Sequence, residues 1–211
     1  MPILAAAFQA IDSGKISLNQ EETITWQDLT SGSGKIKTFK FPVRFTVGEL
    51  LWFMIAYSDN TASNKIISLL GFDYINESFK KVGLKDTVLK RRMMDFTERH
   101  NGKENYTSAR DIAFLLNKIY GQKLINKEFS QLAMSLLKKQ HIKDRIPRYL
   151  PKDTVAAHKT GLERGIIHDA GIVFAPRGDY IICVLIKKSH NYKAAKKFIA
   201  QLSLLTYNFY K

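Results

Sequence analysis

Two short polar strings stand where catalytic side chains could meet. The first, YSDNTASN, places Ser58, Asp59 and Asn60 at the end of a long apolar run. The second, HKTG, places His158, Lys159, Thr160 and Gly161 about 100 residues later. A serine hydroxyl both donates and accepts, so Ser58 can relay a proton. Asn60 offers amide donors and an acceptor, enough to orient an amide ligand and a nearby lysine. Lys159 supplies positive charge, which favours an anionic ligand group and lowers the pKa of neighbouring acids. Thr160 can hydrogen-bond the same anionic group. Gly161 leaves a strand edge open for a ligand to lie along. Asp59 is better suited to holding the turn than to meeting a ligand. Each string alone has a plainer explanation, a helix cap for the first and a surface lysine for the second. Their order and their places in the chain raise the pair above that.

These residues need elements to hold them. FTVGELLWFMIAY predicts a helix with a capping box, Thr46 with Glu49 three residues on, and its nearly all-round apolar surface predicts deep burial. Ser58 falls just past its end. Residues 61–70 and 73–82 predict two further helices, stopped by Gly71 and Gly83. SGSGK at 31–35 is a loop. Residues 87–106 show no clear period and predict a long ordered loop, a common place for function. Thr107 or Ser108 caps a helix to Tyr120, and Asn126 caps one to Lys139. Ile3, Leu4, Ala7, Phe8 and Ile11 share a helical face at the start of the chain, with Gly14 as its stop.

After Pro151 the texture changes to strands: TVAAHKT, GIIHDAGIVFA and YIICVLIKK, the last two joined by a PRGD turn. From Lys193 the pattern returns to helix, with Ala194, Phe198, Ile199, Leu202 and Leu205 as its apolar stripe. The expected class is α+β, helices packed on an antiparallel sheet. A single domain over 1–211 is expected, helical to about 150, with the sheet and a last helix over 151–211.

S-D-N followed by K-T-G is part of the signature of class A β-lactamases and penicillin-binding proteins. With NYTSARDIAFLL after the loop and HDAGIVFAP after KTG, the chain resembles the class A β-lactamase-type serine hydrolases over its whole length. The resemblance implies acyl transfer on β-lactams or on peptidoglycan-like D-Ala peptides, with Ser58 and Lys159 catalytic and Asn60, Thr160, Gly161 and Leu162 binding substrate. Leu162 stands at the family's position for one backbone oxyanion donor.

Two departures matter. The third part of the signature, S-x-x-K, supplies the nucleophilic serine and its lysine. No S-x-x-K stands upstream of Ser58: the residues three after Ser13, Ser17, Ser31 and Ser33 are Ile16, Gln20, Gly34 and Ile36. The resemblance expects that motif directly before Met1, so the family's first helix and first two strands are expected to be missing. On this expectation the 211 residues form no acyl-enzyme and fold marginally, with an unpaired sheet edge; a cooperative melt at high temperature contradicts it. The second departure is in the loop. The family's deacylating glutamate is replaced by RRMMDFTE, with Met93 or Met94 near its position and Asp95 and Glu98 as nearby carboxylates. This favours slow deacylation, as in a penicillin-binding protein. A non-catalytic relative that binds wall peptide is the alternative.

The charge of +14 would suit a polyanion, yet no nucleic-acid-binding motif accompanies it. A small-molecule β-lactam or wall peptide is the expected partner, with no nucleic acid, no cofactor and a monomeric state. His158 is expected to orient or pack rather than react. His100, His141, His168 and His190 show no metal-ligand spacing, so no metal is expected. No run is long enough to span a membrane. The resemblance places a full-length parent outside the cytoplasmic membrane; the chain's own location is not readable. Cys183, the single cysteine, lies in YIICVLI and reads as a small core residue.

Overall fold

A computed structural model describes residues 1–211. Helices α1 (Pro2–Asp12), α2 (Val47–Ala56), α3 (Asn60–Leu70) and α4 (Phe72–Val82) precede the long loop, whose short helix α5 spans Phe96–His100. Helices α6 (Ala109–Tyr120) and α7 (Lys127–Lys138) follow it. Strands β1 (Glu21–Ile24) and β2 (Val43–Thr46) form a small antiparallel pair. Strands β3 (Ala156–Glu163), β4 (Ile166–Val173) and β5 (Tyr180–Ile186) form an antiparallel meander, and α8 (Tyr192–Phe209) closes the chain. The expected α+β class, helices on an antiparallel sheet, is what the chain adopts.

Helix α2 is the centre of the molecule. The Thr46 hydroxyl accepts from the Glu49 amide at 3.1 Å, and Glu49 Oε2 accepts from the Thr46 amide at 2.7 Å. That reciprocal cap fixes where the helix begins and is worth about 1 kcal/mol. Seven of its ten residues are buried, among them Leu50, Leu51, Phe53 and Ile55. Each large apolar side chain removed from water there contributes roughly 1.5–3 kcal/mol. Leu4, Phe8, Ile66 and Leu115 join the same core from α1, α3 and α6. The buried surface of α1 is broader than its predicted face: Leu4 to Phe8 are all buried, and Ile3 and Ile11 are half-buried.

A second, smaller core lies between β4, β5 and α8. The expected stripe on α8 holds at Ile199 and, half-buried, at Leu202, while Ala194, Phe198 and Leu205 face outward. Ala195, Ile199, Ala200, Ser203 and Tyr207 are the buried positions. Phe198 is 55% and Leu205 69% exposed. Apolar residues surround most of this helix, so hydropathy alone did not say which side meets the sheet. The pair β1–β2 and the helix α5 were not anticipated. Four-residue strands and a five-residue helix give too little period to read.

Candidate active site

Two helices and one strand converge at Ser58. Helix α2 ends at Ala56, and α3 begins at Asn60, so Ser58 sits in the tight corner between them. Its φ of 53° is a left-handed backbone that a serine adopts only under constraint. Asp59 supplies much of that constraint. Its buried carboxylate accepts from the Ala62 amide at 3.0 Å, capping α3, and from the Lys35 and Ile36 amides at 2.6 and 2.8 Å. Asp59 therefore holds the corner to the 31–37 loop, as its residue type suggests. Gly34 lies directly against it: a Cβ there would fall 2.4 Å from Asp59 Oδ2.

Strand β3 brings Lys159 to this corner. Lys159 Nζ donates to Ser58 Oγ and, at 2.8 Å, to the Thr160 carbonyl. Burial pushes the Lys159 amine down to about 8; Asp169 opposes the shift and Arg145 adds to it. The start of α1 points into the same region. Burial, with a smaller contribution from the Lys159 charge, lowers the Met1 amine to about 5.

Behind Lys159 lies a buried polar layer that the sequence did not reveal. His158 Nδ1 lies 3.0 Å from Asp169 Oδ1, and Asp169 Oδ2 accepts from the Ile146 amide at 3.0 Å. His158 and Asp169 are both fully enclosed, so His158 packs and orients behind the strand. Arg145 is enclosed as well, paired to Asp144 at 2.9 Å. The one available signal was Asp169 itself, an acid inside the apolar run GIIHDAGIVFA.

The other expected residues take these places. Asn60 Nδ2 donates to the Ser31 carbonyl at 2.8 Å, which ties the corner to the 31–37 loop. Thr160 is buried beside Lys159. Gly161 faces His168 of β4; a Cβ there would meet His168 Cβ at 3.3 Å. The glycine thus serves strand packing on one face. Leu162 is 58% exposed at the outer end of β3, which has a sheet neighbour on one side only.

The loop 87–106 closes the remaining side. Val88 and Tyr106 bridge its neck. Asp111 fastens its base, accepting from the Asp86 amide at 2.8 Å and the Thr87 hydroxyl at 2.7 Å. Asn64, one turn beyond Asn60 on α3, reaches the middle of the loop. Its Oδ1 accepts from the Met93 amide at 2.7 Å, and its Nδ2 donates to the Met93 carbonyl at 3.1 Å. Asn64 was missed; a buried asparagine inside a helix was the signal available. Asp95 caps α5 by accepting from the Glu98 amide at 3.0 Å, and Glu98 pairs with Lys103. Both carboxylates are engaged in the loop's own structure. No group of side chains has the makings of a metal site.

The model of the beta-lactamase enzyme family matches residues 1–210. The chain belongs to that family. Among curated relatives, Beta-lactamase VEB-1 of Pseudomonas aeruginosa is 26% identical over 99% of this chain and 75% of its own length. Extended-spectrum beta-lactamase PER-1 of the same organism is 27% identical, over 94% and 69%. Among solved structures, the beta-lactamase of Sphaerobacter thermophilus matches with a TM-score of 0.89 at 26% identity, over 97% of this chain and 78% of that one. PBP-A matches with a TM-score of 0.88 at 30% identity, over 99% and 77%. A PBP-A mutant solved as an acyl-enzyme complex with penicillin G matches equally well, over 99% and 78%. The family membership and the β-lactamase-like fold agree with the resemblance carried by S-D-N and K-T-G.

Proposed function

We propose that this chain carries the proton-relay and substrate-binding half of a class A β-lactamase-type acyl-transfer site. The substrates are β-lactams or D-Ala-peptide-like amides. The contact of Lys159 Nζ with Ser58 Oγ carries the reading. In it, Ser58 hands its hydroxyl proton to the amide nitrogen as the C–N bond breaks, and the Lys159 ammonium replaces that proton. The substrate carboxylate lies by Lys159 and Thr160. Asn60 orients the substrate amide, and the strand edge at Gly161 and Leu162 carries its backbone, with the Leu162 amide as an oxyanion donor.

The family mechanism takes its nucleophile from S-x-x-K, which does not occur upstream of Ser58 in these residues. These 211 residues alone therefore bind β-lactam without forming an acyl-enzyme. A Ser-x-x-Lys turn added ahead of Met1 lengthens α1 toward Lys159 and supplies the missing group.

Met93 favours a penicillin-binding-like variant of the same chemistry. The resemblance expects a water-activating glutamate near Met93 or Met94, and of the two Met93 is the one that Asn64 grips. A thioether cannot take a proton, so an acyl adduct formed here hydrolyses slowly.

The test is a fluorescent penicillin with two proteins, the 211-residue chain and the same chain extended by Ser-x-x-Lys. The expected result is reversible binding by the first and a stable covalent adduct on the second. Absence of binding by both overturns the reading.

A further inference from the structure

Four charged side chains alternate around a closed ring at the side of the site. Arg91 Nε donates to Glu104 Oε1 at 2.9 Å, and its NH2 lies 3.1 Å from Glu163 Oε2. Arg99 Nε reaches Glu104 Oε2 at 2.8 Å, and Arg99 NH1 pairs with Glu163. Arg91, Arg99 and Glu104 all belong to the 87–106 loop. Glu163 belongs to β3, two residues beyond Gly161. The ring is thus where loop and substrate-bearing strand are joined by charge. Arg91 is 3% exposed. Burial acts to lower its pKa, yet the two carboxylates raise it overall. A guanidinium this enclosed needs both partners, because removing one leaves an uncompensated buried charge.

The remaining fasteners of the loop reach other elements. Asn76 of α4 holds Leu89 through two hydrogen bonds of 2.8 Å, Asn64 of α3 holds Met93, and Asp111 of α6 holds the base. None of these touches β3. A ligand lying along Thr160, Gly161 and Leu162 acts on the strand at the residue next to Glu163, and the ring passes that effect into the loop near Met93.

We propose that Glu163 is a positioning residue that couples the substrate-bearing edge of β3 to the order of the 87–106 loop. Occupancy of the strand edge steadies the loop, and a steadied loop tightens ligand binding by the same factor. The proposal rests on the functional reading above for the identity of the ligand.

The experiment is hydrogen exchange by mass spectrometry on the full chain, with and without saturating penicillin G. It compares the unaltered protein with Glu163→Gln, Glu163→Asp and Arg99→Gln. In Glu163→Gln, exchange over residues 88–105 speeds up by about tenfold, a typical coupling magnitude, while α2 stays protected. Penicillin G slows loop exchange in the unaltered protein and no longer does so in Glu163→Gln, whose affinity falls by about the same factor. Glu163→Asp restores part of both effects, which a general loss of packing would not produce. Loop exchange unchanged in Glu163→Gln, or ligand-induced protection that persists there, overturns the proposal. If Glu163→Gln also exposes α2, the half-exposed Arg99→Gln decides: it must loosen the loop with α2 intact. If penicillin G fails to bind the unaltered protein, the functional reading falls, and the ligand-free exchange still decides whether Glu163 latches the loop.

Discussion

Lys159 and Ser58 stand 101 positions apart in the chain, and the lysine ammonium donates directly to the serine hydroxyl. The contact joins the corner between α2 and α3 to the middle of edge strand β3. Burial holds Lys159 near the midpoint of its titration at mildly alkaline pH, which sets a sign for ligand binding.

If Lys159 receives the substrate carboxylate as proposed, an anionic β-lactam binds best while Lys159 is charged. Its amine is pushed down to about 8 in the free protein, so the charged form persists below that pH and is lost above it. Affinity for penicillin G is expected to be flat from pH 6 to 7 and to fall through pH 8 to 9, by up to about tenfold per unit. Calorimetric titration across that range checks it. In Lys159→Met the affinity is low and this step is gone.

The same shift has a stability sign. The folded pKa of a cation lies below its unfolded value of 10.5, so folding is penalised wherever the unfolded lysine is charged. The penalty is full below about pH 8 and is relieved as pH rises toward 10.5. Lys159→Met removes it, and this variant is expected to be at least as stable as the parent at pH 7 by denaturant titration.

Gly34 and Asp59 test the corner that holds Ser58. A Cβ at Gly34 would lie 2.4 Å from Asp59 Oδ2, at a φ of 137° that L side chains avoid. Gly34→Ala forces the carboxylate off its backbone donors and is expected to cost about 2 kcal/mol or more. The thermal midpoint then drops by roughly 4–8 °C in a chain of this size. Penicillin affinity is expected to fall with it.

In the proposed reading, Met93 sets the fate of an acyl adduct. In the chain extended by Ser-x-x-Lys, Met93→Glu places a base where Asn64 fixes the loop. Release of the penicilloyl group is expected to speed up by about 10²–10⁴-fold, the usual contribution of a positioned base. Timed mass spectrometry of the adduct reads it directly. An unchanged release rate places the water elsewhere.

Cys183 offers a simple control on burial. Its surroundings push the thiol up to about 12, so almost no thiolate exists at neutral pH. Iodoacetamide is expected to leave the folded protein unmodified at pH 7.5 and to alkylate it after denaturation.

Much of this architecture was legible because its signals are local. The Thr46–Glu49 box starts α2 where the sequence says, and Gly71 and Gly83 end α3 and α4. S-D-N and K-T-G are short strings with fixed chemistry, so Ser58 and Lys159 could be named before their contact was seen. What escaped the sequence depends on distant partners. Asn64 gains its meaning from Met93, 29 residues on. Glu163 reads as a surface charge until Arg91 and Arg99 arrive from the loop. Asp169 and His158 meet only across the register of β3 and β4. The stripe on α8 held only at Ile199 and Leu202 for a related reason: its buried side is chosen by the sheet, and Phe198 and Leu205 carried no mark of facing outward.

If Ser58 and Lys159 serve a β-lactam site, the loss of either side chain must weaken ligand binding. The most direct measurement is penicillin G binding at pH 7 to the unaltered chain, Ser58→Ala and Lys159→Met, by calorimetry. Saturable binding to the unaltered chain is expected, weakened in Ser58→Ala and nearly abolished in Lys159→Met. Equal binding to all three proteins, or none to any of them, contradicts it.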